Sequence, residues 1–227
     1  MPNITEITLD KIDLFKVGDY GAALPIIKPF FYCHRINTSN ELSNFEDNCG
    51  IELDLRDKNE NLILQHDPFK DGENFEEYLK NFNKQSIILN IKSERIEFKV
   101  LKLLEKHQIN NYFFLDSSFP MIYQLNKSNN QNIAVRYSEY EPIENIIKLK
   151  NMVKWVWVDC FNKFPLDVES YEKIKNANLK ICLVSPELQN YKDPKKEIDN
   201  IRKIICENNF EIDAICTKSY MINEWAL

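Results

Sequence analysis

Short apolar runs of strand length alternate with longer amphipathic stretches through almost the whole chain, and this rhythm constrains the fold more than any other feature. The runs are PFFYCHR (29–35), GIELDLR (50–56), SIILNIK (86–92), NYFFLDSS (111–118), NIAVRYSEY (132–140), WVWVDCF (155–161), LKICLVS (179–185) and DAICTKS (213–219). Between them, SERIEFKVLKLLEKHQI sets Ile96, Val100, Leu103 and Leu104 on one helical face, and PKKEIDNIRKIICENN does the same with Ile198, Ile201 and Ile205. DVESYEKIKNAN opens on Asp167, whose carboxylate can cap a helix, and ends in Asn before the next run. Strands separated by helices pair in parallel, and eight such units are the number that closes a barrel. The expected architecture is therefore α/β. It is a single (β/α)8 TIM barrel over 1–227, with a short N-terminal extension at 1–28 and a small hairpin insertion after the second strand. A doubly wound open sheet is the alternative, but no Gly-rich phosphate loop follows any run, and the chain holds only four glycines.

A length of 227 residues suits one such domain. The net charge of -6 and the absence of any Lys/Arg block argue against nucleic acid as a partner. The start, MPNITEITLDKIDLF, is charged throughout and has no signal-peptide centre. No apolar run reaches the roughly 18 residues of a membrane span. The six cysteines are scattered without a CxxC pair, and four sit in strand-like runs, so they read as buried free thiols in a cytoplasmic protein. Oligomeric state leaves no signature in the sequence.

The chemistry gathers in GIELDLRDKNENLILQHDPF. A strand alternates its side chains between two faces, so Ile51, Leu53 and Leu55 share one face and Glu52, Asp54 and Arg56 the other. In SIILNIK, Ile87, Leu89 and Ile91 face outward, while Ile88, Asn90 and Lys92 face into the barrel. Unpaired buried charge costs several kcal/mol per ion, so two adjacent inward rows of this kind point to a site. Barrel active sites lie at the C-terminal ends of the strands, where Glu52, Asp54, Asn90, Lys92, His34 and Arg35 all fall. Of three histidines, His34 and His66 flank these carboxylates, whereas His107 sits near a helix end and reads as structural. Oxygen donors at Glu52, Asp54 and Asn90 suit a hard divalent cation, Mg²⁺ or Ca²⁺. Two histidines can divide general acid and base duties, and Arg35 and Lys92 supply positive charge to a phosphate. Arg136 and Asp159, at two other strand ends, either line the site, with Arg136 as a candidate phosphate ligand, or pair with a neighbouring charge. Trp155 and Trp157 face one way together, as core packing or as a substrate wall.

The combination CHR…SNEL…GIELDLRDKNENLILQHDPF resembles the glycerophosphodiester phosphodiesterase family, a TIM-barrel group related to phosphatidylinositol-specific phospholipase C. That family carries His-Arg-Gly, then Glu-Asn-Thr, Glu-x-Asp, a short hairpin and His-Asp. The matches are His34-Arg35, Asn40, Glu52-x-Asp54 and His66-Asp67, with Asn90-Ile91-Lys92 at a later Glu-x-Lys. The motifs cover residues 29–92; beyond them the likeness is one of strand and helix rhythm. The resemblance implies that His34 and His66 are the acid–base pair, that Glu52 and Asp54 bind the metal, and that Arg35 and Lys92 hold the phosphate. The substrate would be a small-molecule phosphodiester, attacked by water or by a neighbouring hydroxyl of its own. Four positions depart from the pattern: Asn90 replaces a carboxylate, Ile36 a glycine, Ser39 a glutamate, and Lys218 the acid of a Thr-Asp pair. They bear on the substrate more than on the reaction. Two other readings are a relative that releases a cyclic phosphate and a catalytically silent barrel that binds a phosphorylated ligand.

Overall fold

The computed structural model describes residues 29–44 and 49–226, so the extension expected over 1–28 lies outside the described residues. The chain runs β1 (Phe30–Cys33), α1 (Ser39–Ser43), β2 (Gly50–Lys58), β3 (Asn61–Leu64), β4 (Glu73–Asn74), α2 (Phe75–Leu79), β5 (Ile87–Ile91), α3 (Glu97–Lys106), β6 (Tyr112–Leu115), α4 (Phe119–Lys127), β7 (Ala134–Tyr137), α5 (Ile143–Lys148), β8 (Trp155–Val158), α6 (Val168–Asn176), β9 (Lys180–Val184), α7 (Pro194–Glu207), β10 (Ala214–Thr217) and α8 (Ile222–Ala226). All eight strand-like runs form strands.

These eight strands pair in parallel in the order β7-β8-β9-β10-β1-β2-β5-β6. The sheet curls until its ends meet, and the seam between β6 and β7 is a single parallel bridge from Phe114 to Ile133. β2 turns at Asn59 and Glu60 and pairs antiparallel with β3, which pairs with β4. Asn59 and Glu60 have φ of 48° and 66°. A two-residue hairpin turn with both φ positive matches the right-handed twist of its strands.

The apolar residues form two layers, as alternation requires. Ile51, Leu53, Leu55, Ile87, Leu89 and Ile91 face outward, in one cluster with Val100 and Leu104 of α3 and Ile198, Ile201 and Ile205 of α7. Tyr32, Ile88, Phe113, Leu115, Trp157, Cys182, Val184 and Cys216 face inward and plug the barrel, with Trp155 packed against them. Phe113 stacks on Trp155 at 4.7 Å and meets Tyr32 edge-on at 5.7 Å. The two tryptophans are thus core. None of the six cysteines is in a disulfide and five are buried. No helix among the described residues is long and apolar enough to cross a membrane.

Leu53 is fully buried in the outer layer. Leu53→Ala is expected to lower the unfolding free energy by roughly 2–5 kcal/mol in urea titration.

Candidate active site

β1 ends with Tyr32 facing in and Cys33 facing out, so His34 is delivered to the inner face. Its amide continues the ladder by donating to the Thr217 carbonyl at 2.9 Å. Its Nε2 stands 3.8 Å from Glu52 Oε2. Arg35 then adopts a left-handed conformation, φ 58°, and its backbone N–H donates to Glu52 Oε2 at 2.8 Å. A non-glycine residue in that region is uncommon and is held by its surroundings.

Glu52 and Asp54 are both fully buried. Glu52 Oε1 accepts from Asn90 Nδ2 at 2.8 Å. Burial, followed by repulsion from Asp54, pushes its carboxyl up to about 7. Asp54 is clamped by Asn37, whose Nδ2 donates to Oδ2 at 2.9 Å while its Oδ1 accepts the Asp54 backbone N–H at 2.8 Å. Arg35 Nε and Lys92 Nζ each stand 3.7 Å from an Asp54 carboxylate oxygen. Asp54 and Asn90 are register partners across β2 and β5. On both, one buried oxygen, Oδ1, has no hydrogen-bond partner.

The hairpin brings His66 back to this end of the barrel. Arg56 donates to the His66 carbonyl from Nε at 3.1 Å and Nη2 at 2.8 Å, and to the Lys92 carbonyl from Nη1 at 2.8 Å. The third inward charge of β2 is therefore a strut that ties two site segments together. His66 Nδ1 bonds Asp67 Oδ1 at 2.9 Å, which fixes the ring. Hydrogen bonds from Lys70 and His66 pull the Asp67 carboxyl down to about 2. His34 moves the other way for a base. Burial, then the positive charges of Lys218, Arg35, Lys92 and His66, push its imidazole down to about 3.

A rim of alternating charge runs along the next strand ends. Lys92 Nζ is 3.2 Å from Asp116 Oδ2. Arg136 grips Asp116 with Nε at 2.7 Å and Nη2 at 2.9 Å, and its Nη1 bonds Asp159. Asp159 also accepts from Gln189 Nε2 at 2.8 Å. A bidentate guanidinium–carboxylate pair is a strong contact, so Arg136 serves here as a neutralised strut.

Six of the eight candidates named from the sequence, His34, Arg35, Glu52, Asp54, Asn90 and Lys92, meet around one buried carboxylate pair, and His66 joins them. Arg136 shares the face but spends its charge on Asp116 and Asp159. The motif match at Asn40 carries no site role: it is exposed in α1, and the Asp54 clamp belongs to Asn37. Sequence reasoning missed Asn37 and Asp116, although Asn37 lies only three residues past His34. His107 caps the C-terminus of α3, away from the site residues. A cavity of about 400 Å³ opens between the loops after β7 and β8, with Tyr137, Tyr140, Glu141 and Lys163 in its wall and none of the candidate residues. Among the described residues no group of three or more His, Cys, Asp or Glu side chains could hold a metal ion; the third oxygen donor proposed from the sequence is the Asn90 amide.

No protein-family model matches the chain, and no curated protein matches it. Solved structures do. A glycerophosphoryl diester phosphodiesterase from Parabacteroides distasonis superposes with a TM-score of 0.61 at 15% identity, covering 90% of this chain and 87% of its own. The glycerophosphodiester phosphodiesterase from Agrobacterium tumefaciens gives 0.59 at 15%, over 84% and 96%. A Galdieria sulphuraria protein assigned the same activity gives 0.66 at 16%, over 89% and 99%. The chain has the fold of these phosphodiesterases.

His34 also makes a pH prediction. Its folded pKa lies below the unfolded value of 6.5, so the unfolded chain binds this proton more tightly. Its contribution is complete above 6.5 and is lost as pH falls towards about 3. Urea titrations should show stability falling by up to about 1.4 kcal/mol per pH unit in that window on account of this one group. His34→Asn should flatten the slope.

Proposed function

We propose that this chain is a phosphodiester hydrolase acting on a small glycerophosphodiester-like substrate, with His34 and His66 as its acid–base pair. The observation that carries the reading is the His34 ring 3.8 Å from the buried Glu52 and beside the buried Asp54, with His66 returned to the same mouth by the hairpin. A shared fold hosts many chemistries, so the reading rests on the site and not on the likeness.

The residues fit a divalent cation. Asp54 Oδ1 and Asn90 Oδ1 are buried, lack hydrogen-bond partners and belong to register-paired residues beside Glu52. All are hard oxygen donors, of the kind that bind Mg²⁺ or Ca²⁺. When bound, such an ion neutralises the carboxylates and polarises a phosphoryl oxygen. An amide in place of a third carboxylate supplies the oxygen with one negative charge fewer, which weakens the hold on the ion.

The chain's own groups divide the remaining work. His34 is uncharged near neutral pH, so its imidazole takes the proton from the attacking hydroxyl. His66, held by Asp67 and anchored through its carbonyl by Arg56, gives a proton to the leaving alkoxide. Arg35 and Lys92 offer N–H donors to the phosphate oxygens. Arg136 supports Lys92 at one remove, through Asp116.

Hydrolysis of glycerophosphodiesters and of bis(p-nitrophenyl) phosphate with Mg²⁺ or Ca²⁺ tests the proposal. His66→Ala is expected to lower kcat about 10²–10⁴-fold; unchanged turnover in that variant, or none in wild type on a broad diester panel, sinks it. Phosphorus NMR of the first product separates attack by water from attack by the substrate's own hydroxyl, which leaves a cyclic ester.

Asn90→Asp removes the amide that donates to Glu52 and restores the third negative charge. Thermal melts should show it less stable than wild type in EDTA and more strongly stabilised by added Mg²⁺.

A further inference from the structure

Lys218 follows the last barrel strand, at the mouth, where the resemblance leads one to expect an acid. β10 and β5 flank β1 and β2 in the sheet, so Lys218 and Lys92 stand on either side of the strands that carry His34, Glu52 and Asp54. Lys92 is neutralised by Asp54 and Asp116, Arg35 by Asp54, and Arg136 by two aspartates. Lys218 differs. Among the described residues its ammonium makes no ion pair, and its one contact is a 3.3 Å hydrogen bond to the His34 carbonyl. An ammonium has three donors, so two remain free.

The carboxylate that reaches this segment is spent elsewhere. Glu187 Oε1 accepts from Thr217 Oγ1 at 2.6 Å and from the Lys218 backbone N–H at 2.9 Å, while Oε2 accepts from Ser185. Ser185 in turn receives Trp225 Nε1 at 2.8 Å. Ser185, Thr217 and Trp225 are fully buried. The mount is therefore a packed chain of hydrogen bonds that holds the Lys218 backbone and leaves its charge uncompensated.

We propose that Lys218 is a further ligand-binding residue of this site and holds a phosphate oxygen of the substrate from the β10 side, across β1 and β2 from Lys92. The inference deepens the phosphodiesterase reading, on which it rests for the identity of the ligand. A half-buried ammonium facing an anion loses little to solvent, and a hydrogen bond between charged groups is about twice as strong as a neutral one. Phosphate should accordingly bind with the divalent cation absent as well as present.

Calorimetric titration of the full-length chain with inorganic phosphate, in EDTA and in Mg²⁺, tests this. Wild type should bind in both. Lys218→Met should bind roughly tenfold more weakly or worse, Lys218→Arg should keep most of the affinity, and Lys150→Met, the same charge change at an exposed turn, should bind as wild type. Equal binding by Lys218→Met, equal loss in Lys150→Met, or no phosphate binding by wild type overturns the proposal. If Lys218→Met does not fold, an amine-reactive label on wild type serves: phosphate should protect Lys218, and labelling that phosphate leaves unchanged overturns it equally. None of these readouts needs turnover. A chain that binds phosphate through Lys218 but hydrolyses nothing refutes the hydrolase reading alone, and a working hydrolase indifferent to Lys218→Met refutes this inference alone.

Discussion

The rest of this structure depends on two carboxylates, Glu52 and Asp54, held inside a barrel with no exposed surface. Burying an ion costs several kcal/mol unless partners repay it, and the neighbouring strand ends are arranged to do so. Arg35 gives Glu52 a backbone N–H and Asp54 a guanidinium; Asn37 clamps Asp54 from both its amide ends; Asn90 caps Glu52; Lys92 stands beside Asp54. The left-handed turn at Arg35 follows from this, since it aims that residue's N–H at Glu52. Two buried oxygens, Asp54 Oδ1 and Asn90 Oδ1, nonetheless have no hydrogen-bond partner.

The same constraint orders the surroundings. Charges at the mouth come in a chain, Lys92 to Asp116 to Arg136 to Asp159, in which each neutralises the next across adjacent strands. Below it, Tyr32, Phe113 and Trp157 fill the barrel with apolar side chains, so the polar groups are confined to one end. Against that background Lys218 is, among the described residues, a positive charge without an ion-pair partner, hydrogen-bonded to the His34 carbonyl.

Much of this was legible beforehand. The eight strands, the outward Ile51, Leu53 and Leu55, and the inward Glu52 and Asp54 follow from a period of two, a local property that any strand imposes. The fold-back after β2 was legible from the family's Glu-x-Asp, hairpin and His-Asp order, matched at Glu52, Asp54, His66 and Asp67. Asn37 was not, because motif spacing drew the match to Asn40, and only the path of the loop after β1 decides which amide reaches Asp54. Arg136 was legible as a strand-end cation that either lines the site or pairs with a neighbouring charge, but the partners were not all legible: Asp116 lies 20 residues earlier and Asp159 23 residues later.

By itself, then, the sequence determined which faces of which strands are apolar, where the charged row interrupts them, and that two histidines lie at the ends of that row. Alternation and turn chemistry act over a few residues, so they can be read along the chain. Only the tertiary structure decided who neutralises whom. Glu52 meets Asn90 across 38 residues and Lys218 meets His34 across 184. Electrostatic partnership depends on distance in space, and the parallel pairing of β2 with β5 and of β1 with β10 is what makes those distances short.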